Sequence, residues 1–222
     1  MNKKQIINLA VCISISIFCL SFRNTKQSIV SVSLVDIGQY INELQSNDPN
    51  EREKASKTIQ EYHEQLIENL IKLVNVKLED IPSLEAQKTE YGKYHAKELA
   101  IDLLGESRSV KAVPVLMENL EYRNPFDLYA GSNRSLGSQF PAARALAKIG
   151  MPSVEPALDR LRDYEKYKME SGICCWTLRA VLGNKLAQAH IQITIDETKD
   201  EKANKNLNDA LNYIKTFTGK AG

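Results

Sequence analysis

The chain has 222 residues, 43% of them hydrophobic and 26% charged, with 29 basic against 28 acidic side chains. That length holds one domain plus a short leader, and the apolar fraction is enough to build a core. So even a charge balance, with both signs mixed in the tracts 159–170 and 196–205, argues against a dedicated nucleic-acid binder, which needs a basic excess or stripe.

Residues 1–22 have the shape of a targeting segment. Lys3 and Lys4 precede an uncharged apolar run from Ile6 to Phe22, and Arg23 and Lys26 follow it. This predicts a secretory signal peptide or an uncleaved N-terminal membrane anchor, near the lower length limit for spanning a bilayer. Cys19 and Ser21 suit a cut after Ser21, whereas Phe18 before Cys19 makes a poor lipoprotein box. The expected product is exported (periplasmic or extracellular) or tethered to the membrane through residues 6–22. Residues 23–35 read as a linker, 36–218 as the folded domain and 219–222 as a tail.

Asp36 with Gln39 resembles a capping box before the stripe Ile37, Tyr40, Ile41 and Leu44. Asn47–Asp48–Pro49–Asn50 is a turn, with Asp48 or Asn50 as the next cap. Glu51 to Leu78 then carries apolar residues at helical spacing, as one long helix or two with a break near His63. Ile81–Pro82 ends it, and Leu84 to Glu90 reads as a connector.

Tyr94 to Leu120 predicts a helical hairpin. Ala96, Leu99, Ala100, Leu103 and Leu104 make one stripe, and Val113, Leu116, Met117 and Leu120 make the second. Gly105 stands where a left-handed cap would stop the first helix. The second helix is expected to start near Val110 to Ala112, with Pro114 in its first turn, where a missing N–H costs little. A hairpin of this kind cannot bury its apolar faces alone.

Residues 122–140, YRNPFDLYAGSNRSLGSQF, lack helical periodicity and contain Pro125, Gly131 and Gly137. Long loops inside compact domains are uncommon and often functional. Tyr122, Arg123, Phe126, Tyr129 and Arg134 are of types enriched in binding hot spots, and they are the candidate partner-binding residues. Phe126 and Tyr129 could equally pin the loop to the helices beneath.

The hairpin pattern then returns. FPAARALAKIG, MP and SVEPALDRL match the first copy piece by piece, AIDLLG aligning with ALAKIG and AVPVLMENL with SVEPALDRL without a gap. Gly150 takes the place of Gly105, Pro141 suits a first helical turn, and Pro156 lies one place past the position of Pro114. A fainter third copy runs from Cys174, with Gly183 as its stop and Leu186, Ala189, His190 and Ile193 as its stripe. After the charged stretch 196–205, a last helix uses Leu207, Ala210, Leu211, Ile214 and Phe217 to cover the end.

The ALAKIG and AVPVLMENL segments resemble the core positions of the HEAT-like repeat family, including its short bacterial form first noted in phycobilisome lyases. The likeness covers Tyr91–Tyr164, about a third of the chain, and the irregular repeat length departs from the family's spacing. It implies an all-α fold, an α-solenoid of stacked helical hairpins (HEAT-like, armadillo-like), whose long curved face binds another macromolecule. The lyase branch would imply a pigment-handling enzyme, but the shared positions are core positions, which report fold and not chemistry.

The residues themselves offer no catalytic constellation. The pattern contains no GxSxG, HExxH or phosphate-cradling glycine loop. His63, His95 and His190 have no second ligand at i+4. Of the several His-Glu pairs with which deoxyhypusine hydroxylase, a HEAT-like enzyme, holds two irons, only His63–Glu64 is present. Cys12 and Cys19 lie in the leader. Cys174 and Cys175 are adjacent in a helix, where a bond between them would be strained; one is expected to be buried and the other near the surface. No metal site, no cofactor and no nucleic-acid partner are predicted, and the expected function is non-catalytic protein binding.

Overall fold

The structure is a computed structural model that describes Glu43, Ser46 and residues 48–78, 84–124, 139–163 and 170–216; for residues 84–93 it describes the backbone alone. Residues 1–35, where a leader and linker are expected, the stripe Ile37, Tyr40, Ile41 and Leu44, and residues 217–222 with Phe217 lie outside the described residues. These residues contain helices and no strand. The fold is all-helical. Two compact units divide the chain, residues 1–69 and 70–222.

Helix α1 is Pro49–Val74. Asp48 caps it, its carboxylate accepting the N–H of Asn50 at 2.9 Å. This satisfies one of the donors that a helix start leaves open. The helix is continuous through His63, so the long-helix alternative is the one observed.

The second unit begins its regular structure with α2, Leu84–Ser107. Leu84 to Glu90 is therefore the first turns of a helix and not a connector. The buried face of α2 includes Tyr94, Lys97, Ala100, Ile101 and Leu104, while Leu99 and Leu103 are half-buried. The stripe is rotated from the expected one because Ile101, and not Leu103, points to the core.

Gly105 is not a cap. It lies inside α2, and the helix stops two residues later, where Arg108 takes the left-handed φ of 52°. The glycine's role is contact: a Cβ on Gly105 would lie 2.7 Å from the Cα of Ala145. Sequence alignment with Gly150 suggested a stop. The backbone instead uses the missing side chain to let two helices touch.

A 3-10 turn at Val110–Ala112 leads into α3, Val113–Glu118, with Pro114 in its first turn as expected. Val113, Leu116, Met117 and Leu120 are all buried. Helix α4, Pro141–Ile149, starts on Pro141 and ends at Gly150, whose φ is 88°. A turn at Met151–Ser153 and helix α5, Val154–Arg162, complete this hairpin.

Helix α6, Ser171–Glu197, is kinked at Gly183, where φ is 75°. Beyond the kink the buried face is Ala187, Ile191, Thr194 and Ile195, whereas Leu186 and Ile193 are more than half exposed. The expected stripe of Leu186, Ala189, His190 and Ile193 is thus the outward side. Helix α7 is Glu201–Thr216, with Leu207, Ala210, Leu211 and Ile214 buried. The connection between α6 and α7 is only residues 198–200, much shorter than the charged stretch suggested.

Helices distant in sequence pack against one another. α4 packs on α2 and α6, α5 on α3 and α6, and α7 on α5 and α6. Arg144 reaches Asp102, Lys148 reaches Glu106, Arg160 reaches the Met117 carbonyl, and Asn206 reaches the Arg162 carbonyl. Each contact spans 42–44 residues; the first three join α2 to α4 and α3 to α5, and the fourth joins α5 to α7 past α6.

Candidate functional site

The two ends of the 122–140 loop are built onto α2 and the start of α4. Tyr122 and Arg123 fall among the described residues; Phe126, Tyr129 and Arg134 lie outside them. Tyr122 is half-buried, and its phenol donates to the Tyr94 carbonyl at 2.8 Å. The ring of Tyr122 receives the Lys97 ammonium 4.9 Å from its centroid.

Lys97 is only 6% exposed. Burial pushes its pKa below the ordinary lysine value. Its Nζ donates to the Val76 carbonyl at 3.0 Å, so the buried charge has one acceptor and one aromatic face. Two partners of that kind are what a desolvated ammonium needs.

One residue on, Arg123 is exposed and lays its guanidinium 4.1 Å above the Phe140 ring. Phe140 is the buried N-cap of α4. Arg123 and Phe140, on either side of residues 125–138 in the sequence, are thus held together. Stacking of this sort is worth about 0.5–1 kcal/mol at an exposed site.

Asn124 is buried and donates to Glu98 Oε2 at 2.8 Å. Glu98 Oε1 also lies 4.0 Å from Arg144. Arg144 grips both oxygens of Asp102, at 2.8 and 2.9 Å from its NH2 nitrogen. Arg144 and Asp102 are each about one third exposed. The pair fixes geometry more than it adds stability, at about 0.5–1 kcal/mol. Periodicity singled out the apolar stripe of α2 and missed Tyr94, Lys97, Glu98 and Asn124. The available signal was a lysine and a glutamate flanking that stripe, each able to reach a loop.

Cys174 and Cys175 are both 1% exposed, so neither is the surface thiol that was expected. Burial pushes the Cys174 thiol far up, and Cys175 up to about 12. The first half of α6 is enclosed on every side from Ile173 to Arg179, which removes any surface position for an adjacent pair. Glu170 is raised by burial and by Glu121, against the opposing pull of Arg160 at 3.3 Å. Among the described residues no three His, Cys, Asp or Glu side chains gather as a metal site would require. No described helix is long and apolar enough to cross a membrane. No family model, curated protein or solved structure matches the chain.

Proposed function

We propose that the chain is an α-solenoid of HEAT-like helical hairpins that acts as a non-catalytic scaffold. In this reading it is exported, or held at a membrane by residues 6–22, and it binds a protein partner through its curved face and the 122–140 loop. Support for the repeat comes from the contacts between the first two hairpins, which recur at 42–43 residues and join like positions of α2 with α4 and of α3 with α5. Stacking of like units buries a continuous core and leaves long surfaces open.

The observation that carries the binding role is the clamped root of the loop. Tyr122, Arg123 and Asn124 are each tied to the helices or to the returning strand of chain at Phe140. Fixing the ends of a binding segment in advance lowers the ordering cost of association, so more of the contact energy appears as affinity. Its interior offers Phe126, Tyr129 and Arg134, an aromatic and arginine set suited to anchor a partner.

A crosslinking pull-down tests this reading. Full-length protein tagged at its C-terminus is captured from the native membrane and envelope fraction, with and without Phe126→Ala and Tyr129→Ala together. The expected result is loss of a reproducible protein partner with helicity and melting temperature unchanged. Capture that is indifferent to the double change refutes the loop's role. A large fall in melting temperature assigns the two aromatics to the fold instead. A pigment or metal bound to the purified protein, with no partner, would shift the function to an enzyme on the same scaffold.

A further inference from the structure

The turns between paired helices carry a surface that the loop does not use. Arg144 on Asp102 and Lys148 on Glu106 match the same steps of α2 and α4. Those helices therefore run side by side in one direction, and the turns that follow them adjoin. Glu170, at the start of α6, meets Arg160 near the end of α5. Helix α6 thus starts on the loop's side of the layers, packs against the Met151–Ser153 turn, and kinks at Gly183 on the same edge as the other two turns.

That edge is apolar at each turn. Val110, Met151 and Leu186 are each 59% exposed. Single exposed apolar residues are ordinary. One at each of three neighbouring turns is a row.

The edge is also basic. Residues 106–112, 148–155 and 182–189 hold Arg108, Lys111, Lys148 and Lys185 against Glu106 and Glu155. Both carboxylates are engaged, Glu106 by Lys148 and Glu155 by Arg162. Arg108 and Lys185 make no ion pair among the described residues. The opposite edge has the reverse sign: residues 118–123, 159–163 and 196–200 hold seven carboxylates against Arg123, Arg160, Arg162 and Lys199.

We propose that the turn edge docks on an anionic phospholipid surface. Val110, Met151 and Leu186 enter the headgroup and acyl boundary, and Arg108 and Lys185 lie against lipid phosphates. Separate protruding side chains suit a fluid surface, which each can enter by itself; a protein partner would need a matching row of pockets. Apolar insertion combined with attraction of basic groups is the general basis of peripheral membrane binding. Docking leaves the acidic edge facing away from the bilayer. The proposal rests on the stacked-hairpin reading above and is independent of the loop's partner.

The full chain tests it, with Cys12→Ser and Cys19→Ser so that only a chosen site is labelled; Cys174 and Cys175 are buried. An environment-sensitive fluorophore is attached through Met151→Cys, or through Asn208→Cys, an exposed site on α7. Each protein is mixed with phosphatidylcholine vesicles or with phosphatidylcholine–phosphatidylglycerol vesicles. The position of the label keeps the reading specific even when residues 6–22 insert on their own. The expected result is a blue shift, and quenching by spin-labelled lipid, at position 151 in the anionic vesicles only, with position 208 remaining in water. Arg108→Gln with Lys185→Gln should weaken the effect more than tenfold, since each basic group near such a surface contributes about fivefold. A label at 151 that stays in water, responds equally to the neutral vesicles or shifts no more than the one at 208 overturns the proposal. None of these changes touches the loop, so the partner pull-down fails or succeeds separately.

Discussion

Gly105→Ala is a demanding test of the packing between α2 and α4. The added Cβ would meet Ala145 Cα at 2.7 Å, its Cβ at 2.9 Å and its carbonyl oxygen at 3.3 Å. Two of those three atoms are backbone and cannot rotate away, so the helices must separate by close to 1 Å to restore ordinary contact. Overpacking of this type costs about 1–3 kcal/mol, and a clash with backbone belongs at the upper end. Alanine in place of glycine inside a helix returns about 0.5–1 kcal/mol. The net loss is about 2 kcal/mol, which for a domain of this size is a fall of about 4–8 °C in Tm. Urea denaturation followed by far-UV circular dichroism measures it. Adding Ala145→Gly should restore part of the loss, because it removes the contact at 2.9 Å but not the one at 2.7 Å. A Gly105→Ala protein as stable as the parent, or more stable, would refute the close approach and return Gly105 to the status of an ordinary helical glycine.

Three further outcomes follow from other residues. Arg108 holds a left-handed φ of 52°, so Arg108→Gly should raise stability by about 0.5–1 kcal/mol in urea denaturation while weakening binding to anionic vesicles; an unchanged or lowered stability would contradict the strain. Lys97 has a pKa depressed by burial, so the unfolded chain binds the extra proton between that lowered value and 10.5. Its contribution is therefore most favourable above 10.5 and is lost as pH falls through the folded pKa. The stability of the parent relative to Lys97→Met should rise with pH across that window, and a flat or falling difference in urea midpoints would count against the buried ammonium. In a protein carrying Cys12→Ser and Cys19→Ser, Cys174 and Cys175 should resist a thiol reagent at pH 8 until the chain unfolds, because both are buried and shifted upward. Stoichiometric labelling of the native protein within minutes would contradict that burial.

The sequence carried the local signals of this fold well. Pro114 and Pro141 mark helix starts, Gly150 and Gly183 mark left-handed positions, and Leu207, Ala210, Leu211 and Ile214 form the buried side of the last helix. These are legible because each depends on the residue's own backbone or on a four-residue neighbourhood. Gly105 was misread because its role depends on Ala145, forty positions away, and nothing local distinguishes a contact glycine from a capping one. The third stripe was misread because α6 past Gly183 has apolar residues on two sides, and only the neighbouring helices decide which is covered. Of the candidate site, Tyr122 and Arg123 were visible as residue types. Their anchors Tyr94, Lys97 and Phe140 were not, since pairing across 17–28 residues leaves no periodic trace.

The proposed protein-binding role of the 122–140 loop can be read out at a single side chain. Site-specific photocrosslinking in the native envelope tests it most directly, with a photoreactive side chain in place of Phe126 and, in a parallel protein, in place of Glu68 on α1, which is exposed. The expected result is one reproducible adduct of defined mass from position 126 that is absent at position 68 and is lost on Arg123→Ala, which opens the clamp on Phe140. The same adducts from both positions, or none from 126, would contradict it.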